Sequence, residues 1–207
     1  EAGQRELAQE QFRRAAGLAR ELDRPELLAR AAVGMRSYGD TTRPDAETVR
    51  LLEQALDAVG DASPVWRARI LSRLTCCDPH TRSMETRRLL GDEAARLTVD
   101  STDPAVLFDV FVGRDWASLG PDSLDQRIEV GREAALAGRR LGDPRLVLLG
   151  HEILVGANLV RGELEEAGRH VEAFGELAGA LRQPFFEFHG LILKIVHAMN
   201  GGRFAEA

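Results

Sequence analysis

Aromatic residues are scarce in this chain: they make up 5% of its 207 positions, with one tyrosine and two tryptophans. β-Branched residues are thin beside Ala, Leu, Glu and Arg, and no stretch alternates polar and apolar as a half-buried strand does. Both shortages argue against a sheet. Only two cysteines occur, the adjacent Cys76 and Cys77. Neighbouring cysteine side chains diverge and seldom bridge, so no disulfide framework is expected, and a reducing cytoplasm is the expected compartment. The longest apolar run, Leu191 to Met199, is interrupted by Lys194 and His197. A membrane span takes roughly 20 apolar residues, so none is expected. The opening EAGQRELAQEQF has neither the basic nor the apolar region of a secretory signal. A basic excess is missing as well, since the net charge is −6 and Lys194 is the sole lysine. Direct contact with nucleic acid takes a concentrated basic face, so none is expected.

What the chain does contain is helix-forming residues, which lose little side-chain entropy on entering a helix. It also contains evenly placed prolines: Pro25, Pro64, Pro104, Pro144 and Pro184, at intervals of 39, 40, 40 and 40. The residues before them are Arg24, Ser63, Asp103, Asp143 and Gln183, and three of these are good N-caps. Proline suits the first helical position, where its missing N–H would have had no partner. The Gly142-Asp143-Pro144 triplet therefore reads as the end of one helix and the start of the next.

Other columns keep the same period. Thirty residues after each proline stand Ala55, Ala94, Ala134 and Phe174; thirty-three after stand Ala58, Leu97, Ala137 and Leu177. Carried back one unit, the same frame selects Ala15 and Leu18. GELEEA (Gly162 to Ala167) and GRFAEA (Gly202 to Ala207) share their offsets. Each unit of about 40 residues reads as two antiparallel helices, exemplified by Pro25 to Gly39 and Ala46 to Gly60. Pro44, Pro79 and Pro121 fall in the longer turns within units. One such pair cannot bury its own apolar stripe, so the expectation is an all-α, right-handed α-solenoid. It would run through residues 1–207 as one domain: a leading helix over 5–22, pairs starting near 25, 64, 104 and 144, and a partial pair from 184. A break within a unit leads to the expectation that this is a fragment of a larger protein.

The G-x-[LF]-x-[EA]-A start of the second helix resembles tetratricopeptide repeats, although the unit is longer than the usual 34 residues. The segments LARELDRPELLARAA, LGDPRLVLLGHEILVGANLVRGELEEA and LRQPFFEFHGLILKIVHAMNGGRFAEA are similar to something narrower. They resemble the helical-repeat region of bacterial, mostly actinobacterial, LuxR-type ATPase regulators and related cyclase-linked ATPases. That resemblance implies a non-catalytic, signal-receiving segment that binds a protein, a peptide or a small-molecule effector and governs transcription through its parent. Two other readings stay open: a stand-alone scaffold, and a peptide or small-molecule receptor. The chain itself carries no G-x-x-x-x-G-K-[ST] and no basic recognition helix.

No catalytic, cofactor or metal set emerges from the spacing. His151-Glu152 is not followed by a second histidine, since Val155 occupies that position. His189 and His197 are eight apart on one helix, too far to share a metal. His80 falls in a turn and His170 on a second helix. Cys76 and Cys77 with Asp78 and His80 imitate a nucleophile and base, but the end of a helix disfavours a thiolate. An all-α enzyme is the weakest reading. For binding, the first helices of the units offer Arg30, Arg69, Asp109 and His189 at five after the proline, and Arg73 at nine. In tetratricopeptide arrays that helix lines the concave face, so these five are the candidate contacts; the alternative for the arginines is ordinary solvation beside Glu and Asp. Trp66 and Trp116 are expected in the core. The last helix, 184–199, is apolar nearly all round and is the candidate surface for a homodimer.

Overall fold

The computed structural model describes residues 2–35, 46–77 and 82–205. It is all-α among those residues, with helices α1 (Ala2–Glu21), α2 (Pro25–Gly34), α3 (Ala46–Val59), α4 (Pro64–Cys77) and α5 (Met84–Leu97). These are followed by α6 (Pro104–Ala117), α7 (Leu124–Leu141), α8 (Pro144–Arg161), α9 (Leu164–Leu181) and α10 (Pro184–Asn200). All five periodic prolines open a helix. Pro44, Pro79, Asp78 and His80 lie outside the described residues, whereas Pro121 begins a 3₁₀ turn leading into α7. No described helix is long and apolar enough to cross a membrane.

The turn before the prolines has a physical logic. Two residues ahead of the proline the backbone is left-handed at Asp23 (φ 49°), Gly142 (φ 66°) and Arg182 (φ 51°). That conformation ends the outgoing helix, and only glycine reaches it without steric cost. Asp143 then accepts hydrogen bonds from the backbone N–H of Arg145 (2.8 Å) and Leu146 (3.4 Å), capping α8. Its carboxyl is held below the usual value of 3.8, chiefly by the hydrogen bond from the Arg145 side chain. Asp103 caps α6 through the N–H of Ala105 at 2.8 Å. Ser63 instead donates its hydroxyl to Glu26 at 2.9 Å, which ties the starts of α2 and α4 together.

The chain divides into two compact units, Glu1–Ser101 with Val112–Ala117, and Thr102–Phe111 with Ser118–Ala207. Within each, helices pack as successive neighbouring pairs, the arrangement of a solenoid-like repeat. In the first unit, α1 to α4 enclose a core that includes Leu28, Ala32, Leu52, Ala55, Ile70 and Leu74. In the second, α8, α9 and α10 enclose Leu148, Val155, Val171, Phe174, Ala178 and Leu193. The column thirty after the proline is buried throughout, at Ala55, Ala94, Ala134 and Phe174. The other inward column lies one residue later than the sequence frame selects. Ala58 is exposed and Leu97, Ala137 and Leu177 are half-buried, while Val59, Thr98, Gly138 and Ala178 are buried. The leading helix shows the same slip: Ala16 and Ala19 are buried, whereas Ala15 and Leu18 are exposed. A helix advances 3.6 residues per turn, so neighbours one position apart compete for the same face and contact decides between them.

Small residues bring α7 and α8 into backbone contact. A Cβ built on Gly150 would lie 2.6 Å from both the Ala135 nitrogen and the Gly131 carbonyl oxygen. One on Gly138 would lie 2.6 Å from the nitrogen of Val147. Gly150→Ala therefore sets a helix-propensity gain of about 1 kcal/mol against a clash that only backbone movement can relieve, costing about 1–3 kcal/mol. The clash is expected to prevail. A melting temperature a few degrees below that of the parent protein is the expected outcome, and an unchanged or raised one would show that the two helices can part without loss.

Candidate functional site

Three helices of the second unit line one hollow with a mixture of polar and apolar residues. On α7, Ile128, Arg132, Ala135 and Arg139 follow one another at steps of four, three and four, a single helical face. On α8, His151, Leu154, Asn158 and Arg161 do the same. Glu163, just before α9, and Glu166 and His170 on α9 complete the lining. Ile128 and Leu154 pack together with Ala157, and apart from Ala135 the rest of the lining is polar or charged. Together the lining residues leave a cleft of about 420 Å³.

Two of the lining residues are half-buried histidines that meet each other. Nδ1 of His151 lies 3.0 Å from Nδ1 of His170, with ring centroids 5.2 Å apart and planes inclined at 47°. Two facing nitrogens hold one proton between them, so one ring donates and the other accepts. Burial pushes His151 down to about 4, and His170 and Arg139 add to that by repulsion. His170 is also lowered, first by burial and then by Arg169 and Arg132. Glu166 lies 3.4 Å from Nε2 of His170, but it also pairs with Arg169, so desolvation and the arginines prevail. Both rings are therefore neutral at neutral pH. Asn158, buried beneath them, donates its amide to the Leu154 carbonyl at 2.8 Å.

The charges around the pair differ in how far they are already engaged. Arg161 is paired with Asp125 and lies 3.9 Å from Glu163. Arg132 reaches only Glu129, at 4.0 Å and in the open. Arg139 is exposed, and no carboxylate partners it among the described residues.

The five sequence candidates fall elsewhere, three in the first unit and two in the second. Arg30, on α2, edges an apolar groove of about 360 Å³ lined by Phe12, Leu18, Leu22 and Leu27. Arg69 and Arg73 are one turn apart on α4, and the Arg69 guanidinium lies 4.8 Å over the Trp66 ring. Asp109 is buried on α6. His189, on α10, sits 3.0 Å from Glu152 of α8 and stacks on Phe185. The hydrogen bond with Glu152 holds His189 above its ordinary 6.5. The adjacent His151 and Glu152 thus serve different partners on different helices. Trp66 packs against the first unit's core.

Cys76 and Cys77 are free thiols at the end of α4. Desolvation pushes the Cys76 thiol up to about 12, so it stays protonated at neutral pH. Among the described residues no group of three or more His, Cys, Asp or Glu side chains could hold a metal ion. Spacing along the chain missed the histidine pair because its members are nineteen residues apart on different helices. The signal that was present is the helical spacing of Arg132 with Arg139, of His151 with Asn158 and of Glu166 with His170. Fold and cleft together define an all-α helical-repeat protein with an open polar hollow. Comparison with protein-family models and with curated proteins yields no match to the chain.

These surroundings order the histidines. Titration followed by imidazole NMR is expected to place His189 above 6.5 and both His151 and His170 below it, His151 near 4. Because the pair must take up protons it binds more readily when unfolded, its contribution to stability is expected to fall as pH drops below about 6.5, whereas that of His189 rises. The opposite order, or acid stabilisation that disappears in His151→Gln, would contradict the burial of the pair.

Proposed function

We propose that the chain is a non-catalytic, signal-receiving helical-repeat module, and that the cleft between α7, α8 and α9 is where the signal binds. The observation that carries this reading is the convergence of polar and charged side chains from three helices on a hollow of about 420 Å³, with a half-buried histidine pair in its lining. Ligand sites take this form: a largely preformed concavity with a few placed polar groups. The chemistry on offer favours binding over catalysis. His151, held near 4, is a weak base at neutral pH, and Cys76, held near 12, supplies no thiolate.

The parent is a bacterial ATPase-type transcriptional regulator acting in the cytoplasm; the support is the resemblance of the three segments quoted above. Binding in the cleft would bias how α7, α8 and α9 pack, and so the activity of whatever the module is joined to. A screen of small polar fragments, followed by backbone-amide NMR of the intact chain, tests the binding reading. Shifts concentrated at Arg132, Arg139, His151 and His170 are expected. Fragments that bind only elsewhere, or none that bind, would overturn it.

A second reading, self-association, rests on α10. Phe185, Phe188, Leu191 and Met199 are each at least half exposed there, and Ile192, Ile195 and Val196 extend the apolar surface. Patches of this kind tend to find a partner, and a second copy of the chain is the partner proposed. Sedimentation velocity is expected to show a concentration-dependent dimer that Phe188→Glu with Leu191→Glu abolishes. A strict monomer at high concentration, or a dimer indifferent to those changes, would remove this reading.

A further inference from the structure

We infer that the α7–α9 cleft takes a small organic anion that also bears a hydroxyl group: the acidic group bound by Arg132 and Arg139, the hydroxyl by His151. This rests on the reading of the cleft as a binding site and specifies its ligand class. Arg132 and Arg139 are seven residues apart on α7, two turns or roughly 10 Å along the axis, and on the same face. Long side chains from such positions can converge on one phosphate or carboxylate, or hold two acidic groups of one molecule.

Charge in the cleft is unevenly committed. Its carboxylates are largely answered, Glu166 by Arg169 and Glu163 by Arg161. Arg161 is itself claimed by Asp125. The positive charge left over belongs to α7, where Arg132 has one distant, solvated partner. Each α7 arginine is also close enough to a half-buried histidine to repel its proton, Arg139 at His151 and Arg132 at His170.

Proton accounting on the histidines supplies the second half of the ligand. The Glu166 carboxylate stands 3.4 Å from Nε2 of His170, and its negative charge favours the tautomer that carries its hydrogen on Nε2. A neutral His170 then has a bare Nδ1, which accepts from the Nδ1–H of His151 across 3.0 Å. A neutral His151 is left with a bare Nε2, an acceptor. A bare lone pair repels an oxyanion but welcomes a hydroxyl donor. An acid that also carries a hydroxyl satisfies arginines and histidine together. The cleft volume of about 420 Å³ admits a molecule the size of a hexose phosphate.

The test is calorimetry and amide NMR on the intact chain with glucose 6-phosphate, 3-phosphoglycerate and citrate, against glucose, glycerol and inorganic phosphate. Glucose 6-phosphate offers phosphate without carboxylate and citrate carboxylate without phosphate, which separates the two kinds of recognition, while 3-phosphoglycerate offers both. At least one hydroxylated anion is expected to bind saturably, once per chain, and to shift cleft amides, with glucose and glycerol silent and inorganic phosphate weaker. Arg132→Gln with Arg139→Gln is expected to weaken binding about tenfold or more, with helical circular dichroism and melting unchanged because both side chains are exposed. His151→Gln is expected to narrow the gap between hydroxylated anion and inorganic phosphate. Undiminished anion binding in the double variant overturns the inference. If polar fragments shift the cleft amides and none of the anions does, the anion assignment falls and the cleft reading survives; if neither shifts them, both fall.

Discussion

A pair of helices carries an apolar stripe wider than the pair itself can cover, and every other feature of this protein follows from where that stripe is buried. Successive pairs supply the cover. The inward column at Ala55, Ala94, Ala134 and Phe174 shows the terms of contact: three alanines and one large residue, all buried. Gly190 lies opposite Phe174, where a built Cβ would fall 3.5 Å from the ring, an ordinary contact. Interiors packed as densely as organic crystals leave little freedom in such exchanges. The backbone contact of α7 with α8, at Gly131, Gly138 and Gly150, is the extreme case.

The cleft is where that rule is relaxed. Close contact through Gly131, Gly138 and Gly150 draws α7 and α8 together, while Arg132 and Arg139 on α7 stay exposed. On α8, His151 is half-buried and Asn158 is buried. Polar groups so placed must find partners or stay in reach of water. Asn158 solves this within its own helix, and the histidines solve it with each other. Their neutrality is the cheaper arrangement, since a buried imidazolium beside arginines would be both desolvated and repelled. A neutral pair with a defined tautomer is a recognition element rather than a charge.

Much of the fold was legible because its signals are local. A proline at the first helical position, an aspartate before it and a glycine before that act on their own backbone, so Gly142-Asp143-Pro144 could be read without knowing any neighbour. The inward columns were legible to within one residue. Their slip, from Ala58 to Val59 and from Leu18 to Ala19, arose because both members of each pair are apolar or small and only the facing helix chooses between them. The histidines were not legible in this way. His151 stands beside Glu152 in the chain, yet a step of 100° around the helix sends one to His170 of α9 and the other to His189 of α10.

Composition and period by themselves determined that this chain is helical, where its helices begin, and that pairs of them recur about every forty residues. Those properties are written in each segment's own backbone preferences. Which arginines are left unanswered, which histidines meet and what proton lies between them were decided only by tertiary structure. A side chain's partner depends on the rotation and separation of a second helix, and no segment carries that information about another.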